Sequence, residues 1–210
     1  MAKRRPAPER RRQIAQAAGE LFAERGVRAT TVRDIGDRVG VLSGSLYHHF
    51  KTKHDIVHEL MHAYVDGLLA RYRGVEGLGG SALQKLERLF HACIRANLEH
   101  PAEETMLIRE LGGLFDLDEF VYIHETLAEI EALFVKVIVQ GKSAGEIRED
   151  VDPRFVYRMM MDVMGAVPRW YDPEQHSEDR VVEAWANLFF RGMCPPQAQA
   201  RGVSESAVAS

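Results

Sequence analysis

Apolar residues recur along most of this chain with the period of an amphipathic helix. Between Arg10 and Arg25 they fall at Ile14, Ala17, Ala18, Leu21 and Phe22, a three-and-four spacing that puts them on one stripe. Gly26, free to take positive φ, ends that helix. Thr31 reads as the N-cap of a short second helix, with Asp34 in the first turn and Val32, Ile35 and Val39 facing inward. Gly40 closes it. Ser43 reads as the cap of a third helix through about residue 49, with Leu46 and Phe50 as core contacts. A long fourth helix is predicted over 53–72, and Gly74, Gly77, Gly79 and Gly80 mark a loop after it. Ser81 and Gln84 have capping-box spacing and open a fifth helix that Pro101 stops. A short sixth covers about 102–111, and a long seventh about 116–144. Asp152 and Pro153 start an eighth that reaches about 171, and a ninth covers about 177–191. The expectation is an all-α fold of about nine helices.

Composition narrows the class. With 46% hydrophobic residues, the 210-residue chain is too apolar to be disordered and long enough to bury a core. No run approaches the 18 or so apolar residues of a membrane span, so no membrane partner is expected. The basic start, 1–8, leads into no apolar stretch of a secretory signal. Cys93 and Cys194 are the only cysteines, which excludes a disulfide framework and fits a reducing cytoplasm. The net charge of −4 conceals an asymmetry. Residues 1–60 hold 12 Lys and Arg against 7 Asp and Glu, and the remainder hold 15 against 24. A basic head on an acidic body suits an anionic partner for the head, nucleic acid first; a solvated basic arm is the plainer alternative.

Two short helices joined by a glycine-containing turn at 31–50 describe a helix-turn-helix. In that motif the second helix enters the major groove of double-stranded DNA, its N-terminal residues nearest the base edges. Here that end is Leu42, Ser43, Gly44 and Ser45, small side chains that permit close approach, plus hydroxyls. Tyr47, His48 and Lys53 suit phosphate contacts. Thr31, at the amide end of its helix, and Arg33 complete the expected DNA-binding set. Arg4 and Arg5 either reach a minor groove or belong to a disordered arm.

The stretch FAERGVRATTVRDIGDRVGVLSGSLYHHFKTKHDIV resembles the N-terminal domain of TetR-family transcriptional regulators. Phe22, Gly26, Thr30, Thr31, Ile35, Val39, Leu46 through Lys51 and Lys53 all fall in family order over about 10–60. The resemblance implies that the Thr31, Tyr47 and Lys53 positions hold the DNA backbone while the start of the third helix reads bases. It also implies a homodimer with a C-terminal ligand-binding domain and no enzymatic activity or cofactor. Arg169-Trp170-Tyr171 and the Trp- and Phe-bearing last helix are similar to members that regulate fatty-acid or sterol breakdown, several of which sense acyl-CoA thioesters. The expected organisation is a basic arm at 1–9 and a DNA-binding domain at 10–52. A ligand-binding and dimerisation domain follows at 53–193, then a disordered tail at 194–210.

A small-molecule pocket is expected among the middle helices. Its apolar walls would be Tyr64, Leu68, Phe90, Cys93, Ile94, Met106, Leu107, Phe120, Ile123, Leu127, Met160 and Met164. Asn97, Arg109 and Glu110 would supply polar contacts, and an acyl-CoA would want arginine at the mouth for its phosphates. Phe155, Met159, Val163, Trp185, Leu188 and Phe189, on the last two helices, suit either a dimer interface or the core of one chain. One motif points elsewhere. His58-Glu59-Leu60-Met61-His62 is a literal H-E-x-x-H, in which two histidines one turn apart bind zinc and the glutamate acts as base. No third ligand follows at a suitable distance, and His54 lies on the same helix. A helical zinc metallohydrolase is therefore the alternative to the regulator, and semi-buried histidines are the plainer reading.

Overall fold

The structure is a computed structural model that describes residues 7–194. Among them are nine α-helices and no strand. In chain order they are α1 (Ala7–Arg25), α2 (Val32–Val39), α3 (Ser43–Leu46), α4 (Lys53–Glu76), α5 (Ala82–Glu99), α6 (Pro101–Glu110), α7 (Val121–Ser143), α8 (Pro153–Trp170) and α9 (Glu178–Met193). The all-α expectation holds. Arg4, Arg5 and the tail from residue 195 lie outside the described residues. Residues 7–9 of the expected arm already belong to α1. Among the described residues no helix is long and apolar enough to cross a membrane.

Several caps stand where spacing placed them. Thr31 Oγ1 accepts from the Asp34 amide at 3.1 Å, and the Asp34 carboxylate accepts from the Thr31 amide at 2.8 Å, a complete capping box. Ser81 and Gln84 do the same for α5. Asp152 accepts from the amides of Arg154 and Phe155 ahead of Pro153. A further box, Thr52 with Asp55, starts α4 and had no counterpart in the sequence reading.

Five boundaries differ from expectation. Ser43 is the first residue of α3, whose cap is Leu42 without a side-chain bond, and α3 ends at Leu46 instead of about 49. The turns around it tighten to three-residue bonds, Ser45 N to Leu42 O at 2.8 Å and His49 N to Leu46 O at 2.9 Å, so the α-helix is not extended. α4 runs through Gly74 to Glu76, because one exposed glycine costs a packed helix only about 1 kcal/mol. Two 3₁₀ turns, Leu114–Asp116 and Asp118–Phe120, replace the start expected for the seventh helix. Leu117 between them is extended (ψ 145°), which breaks the run without any proline or glycine. α9 continues through Gly192 to Met193.

The chain divides into two compact units, one running up to Gly67 and resuming at His100–Thr126, the other comprising Leu68–Glu99 and the chain from Leu127 onward. In the first, Leu21, Phe22, Ile35, Leu46, Phe50 and Val57 are fully buried, and α6 packs on α1. Val32 and Val39, expected on the inner face of α2, are only half-buried. In the second unit α5 packs against α8 and α9. Glu146 caps α5 from the far side, accepting from the Ala82 amide at 2.7 Å, and Asn97 Nδ2 donates to the Met164 carbonyl at 2.9 Å. Asn97 is thereby a buried bridge between α5 and α8.

Candidate functional site

The α2–α3 segment is set by tight geometry. Gly40 takes φ 72°, ψ 41°, and its amide donates back to the Asp37 and Gly36 carbonyls. The Val41 amide joins the Gly36 carbonyl at 2.9 Å. Leu46 and Phe50 anchor the segment in the core, so the opposite side of α3 must face solvent. There Leu42 is 85% and Tyr47 54% exposed, and Gly44, Ser45 and His48 are exposed too. Leu42 and Tyr47 are single exposed side chains of a kind common on protein surfaces; what marks them is their place at the start and end of α3. His49 is half-buried, and Lys51, exposed just past α3, adds a cation absent from the expected set.

Two expected phosphate ligands are engaged elsewhere. The Thr31 hydroxyl donates to Asp34 Oδ2 at 2.6 Å, and these bonds hold the Asp34 carboxyl below its ordinary range. A phosphate placed there would meet a carboxylate, so in this geometry Thr31 serves as the cap of α2. Lys53 Nζ donates to the carbonyls of Val27 at 2.7 Å, Arg28 at 3.2 Å and Thr30 at 3.2 Å. An ammonium has three donors, and three carbonyls take them. Arg33 remains exposed beside Asp37 at 3.8 Å.

The same α1–α2 turn is held from α6. Arg109 Nη1 donates to the Ala23 carbonyl at 2.8 Å, and Glu110 Oε1 accepts from the Val27 amide at 3.0 Å. Arg109 and Glu110, expected as polar groups of a pocket, are thus fastened to the end of α1. Arg11 adds a brace, with its guanidinium 3.9 Å over the Phe50 ring and its Nε on Glu59 at 2.6 Å.

That brace bears on the H-E-x-x-H motif. Glu59, the would-be base, is the ion-pair partner of Arg11. His62 stacks on Tyr122 at 3.7 Å, whereas His58 stacks on Phe120 at 4.3 Å. His54 Nδ1 lies 3.0 Å from Glu119 Oε1. Among the described residues no group of three or more His, Cys, Asp or Glu is arranged to hold a metal ion. The zinc-hydrolase alternative finds no support.

The expected pocket residues fall into both units. Tyr64, Met106, Leu107, Phe120 and Ile123 lie in the first; Leu68, Phe90, Cys93, Ile94, Asn97, Leu127, Met160 and Met164 lie in the second. All but the half-buried Leu127 are buried. Phe90 packs on Trp185 at 6.1 Å and on Phe190 at 6.5 Å, joining α5 to α9. In the first unit Tyr64 donates to Glu104 Oε2 at 2.6 Å. Burial pushes the Glu104 carboxyl above its usual 4.5, and the Tyr64 bond opposes that rise. The folded state therefore holds this proton more tightly than the unfolded chain does. The stability it contributes is present below about 4.5 and is lost as pH climbs through the raised value. Glu104→Gln, which keeps an acceptor for Tyr64, should raise the thermal midpoint at neutral pH. The gain should vanish toward pH 4; a lower midpoint at pH 7 would contradict this account. Tyr122 Oη is buried with no hydrogen-bond partner among the described residues, and burial together with Asp66 pushes its phenol well up.

Residues 14–60 match the bacterial regulatory proteins of the tetR family, and residues 79–193 match the tetracyclin repressor-like, C-terminal domain. The chain belongs to the TetR family. Among TetR-family relatives, the HTH-type transcriptional repressor KstR2 of Mycobacterium tuberculosis is 40% identical over 164 residues, 78% of this chain and 82% of that protein. KstR2 of Rhodococcus jostii is 34% identical over 188 residues, 89% of this chain and 92% of the relative. The solved structure of the ketosteroid transcriptional regulator KstR2 of Mycobacterium tuberculosis superimposes with a TM-score of 0.83 at 36% identity, covering 89% of this chain and 95% of that one. The helix-turn-helix built by α2 and α3 is accordingly the DNA-binding element of a TetR-family transcriptional regulator.

Proposed function

We propose that this chain is a ligand-responsive repressor. As a homodimer in the cytoplasm it binds a palindromic operator through α3 of each subunit. A small apolar or acyl-CoA-type effector releases it. The observation that carries this reading is the exposed row Leu42, Gly44, Ser45, Tyr47 and His48 on a segment whose other side is locked into the core by Leu46 and Phe50. Leu42 to Ser45 lie nearest the bases, with Arg33, Tyr47 and His48 toward the backbone. The names of the KstR2 relatives, repressors and a ketosteroid regulator, support repression and an effector related to ketosteroids.

Dimerisation is supported by α8 and α9. Phe155 is 63% and Leu188 76% exposed, and Met159 is exposed with them, while Val163, Trp185 and Phe189 are half-buried. Burying such side chains against a second copy suits a two-fold interface. Two subunits then present their α3 segments to half-sites about 34–36 Å apart. The effector works by differential affinity: it binds the conformation that fits DNA poorly and shifts the population toward it. A near-complete switch needs roughly a 10⁴-fold preference.

A mobility-shift assay on DNA flanking the gene, with and without acyl-CoAs of several lengths, tests the reading. A two-to-one complex of protein with duplex is expected. Tyr47→Ala should weaken binding to every sequence by about 1.5–3 kcal/mol, the worth of one hydrogen bond to a charged phosphate. Ser45→Ala should instead relax preference at one base position, by about 0.5–1.5 kcal/mol, the worth of one neutral hydrogen bond. Unchanged binding by both variants, or no shifted complex at low salt, would sink it.

A further inference from the structure

Past residue 60 the chain carries 24 Asp and Glu against 15 Lys and Arg, yet one groove of the second unit is lined by three arginines and a histidine. Arg71 from α4 and Arg88, His91 and Arg95 from α5 border a cleft of about 370 Å³. Residues 88, 91 and 95 share one helix face by their spacing. Val75, Leu78 and Ala92 complete the lining, which among the described residues includes no carboxylate. Acids do stand beside it: Arg71 Nη2 meets Glu99 at 2.7 Å, Arg95 Nε meets Glu178 at 3.4 Å, and His91 Nε2 meets Asp179 at 3.2 Å. Each of these arginine contacts uses one guanidinium nitrogen, and Glu99 and Glu178 keep 46% and 36% of their side-chain surface exposed, so the pairs are screened by solvent and leave the remaining nitrogens of each fork to a ligand. Arg88 differs, since Nη1 donates to the Gly79 carbonyl at 2.6 Å.

We infer that this groove binds an organic phosphate. The planar forks of Arg71, Arg88 and Arg95 match phosphate oxygens, whereas a lysine would offer only a point charge. Val75, Leu78 and Ala92 give the carbon-bearing part of the ligand an apolar surface. The volume sits near the lower end of small-molecule sites, about 300 Å³, which suits a nucleotide-sized group. The regulator reading gives this site a role, the docking of a phosphate-bearing end of the effector. Binding itself does not depend on that reading.

Calorimetric titration of the full chain with coenzyme A, and separately with inorganic pyrophosphate, tests the inference at low salt and without DNA. Both should bind, coenzyme A more tightly because it also covers the apolar surface, and both should weaken as salt rises. Arg88→Gln should reduce coenzyme A affinity at least tenfold. Ala92→Glu, which sets a carboxylate in the lining and leaves the Gly79 contact alone, should abolish binding and guards against a merely unstable Arg88→Gln. Neither should alter operator binding by the ligand-free protein. No heat from either compound with the folded wild type, or equal affinity in wild type and both variants, would overturn the inference. Loss of operator binding by a wild type that still binds coenzyme A would overturn the regulator reading alone.

Discussion

Replacing Gly36 by valine should eliminate operator binding while leaving most of the helical content in place. A Cβ at this position would stand 2.8 Å from the Val41 carbonyl oxygen, closer than real contacts allow. The obstacle is backbone, and the turn is fastened to Gly36 itself through the amides of Gly40 and Val41. The requirement at Gly36 is room, because its φ is not positive. Relief must come from moving Val41, two residues ahead of Ser43, so α3 would be re-aimed. Overpacking of this kind costs about 1–3 kcal/mol, and the branched side chain loses rotamer freedom in a helix as well. Circular dichroism should report a lowered melting midpoint and the mobility shift no complex. Alanine should act in the same direction with a smaller effect. A valine variant with wild-type operator affinity would mean that the α2–α3 turn does not set the position of α3.

The second large effect is expected at Lys53, where two roles make opposite forecasts. The family resemblance places a DNA backbone contact there, but the ammonium is bound by three carbonyls of the α1–α2 turn. Hydrogen bonds with a charged partner are worth about 1.5–3 kcal/mol, so Lys53→Met should lower unfolding stability by about that amount. Measured at a temperature where the variant is folded, the salt slope of operator binding should stay as in the wild type. A phosphate contact would leave stability nearly unchanged and reduce the slope by about 1. Urea unfolding and mobility shifts at several salt concentrations decide between them.

What the sequence made legible was local. The stripe from Ile14 to Phe22, the Thr31 and Ser81 boxes and the Asp152-Pro153 start are encoded within a few residues of where they act, and they stand as read. Leu46 and Phe50 were legible as core for the same reason. The break at Leu117 was not, because the apolar spacing there continues as a helix would and the interruption is a matter of backbone torsion. Gly74 misled in the other direction, since packing of the flanking turns carried α4 past it. Long-range pairs were the least visible. Glu110 and Val27 are 83 residues apart, and Arg109 reaches Ala23 across 86, so two charged side chains that looked like pocket walls became braces for α1. For the DNA face, the exposed Leu42, Ser45 and Tyr47 agree with the motif, while the Thr31 hydroxyl is taken by Asp34 at the surface and Lys53 is taken by the α1–α2 turn.

The brace around Val27 has a practical consequence for domain exchange. A fragment cut after Thr52 would lose Lys53, Arg109 and Glu110 together, leaving the carbonyls and amide at the end of α1 and in the α1–α2 turn without the side chains that hold them, and would strip Arg11 of Glu59 as well. The reading head is thus not a detachable cartridge. A chimera that grafts it onto another sensor must import the opening turns of α4 and the end of α6 from the same parent.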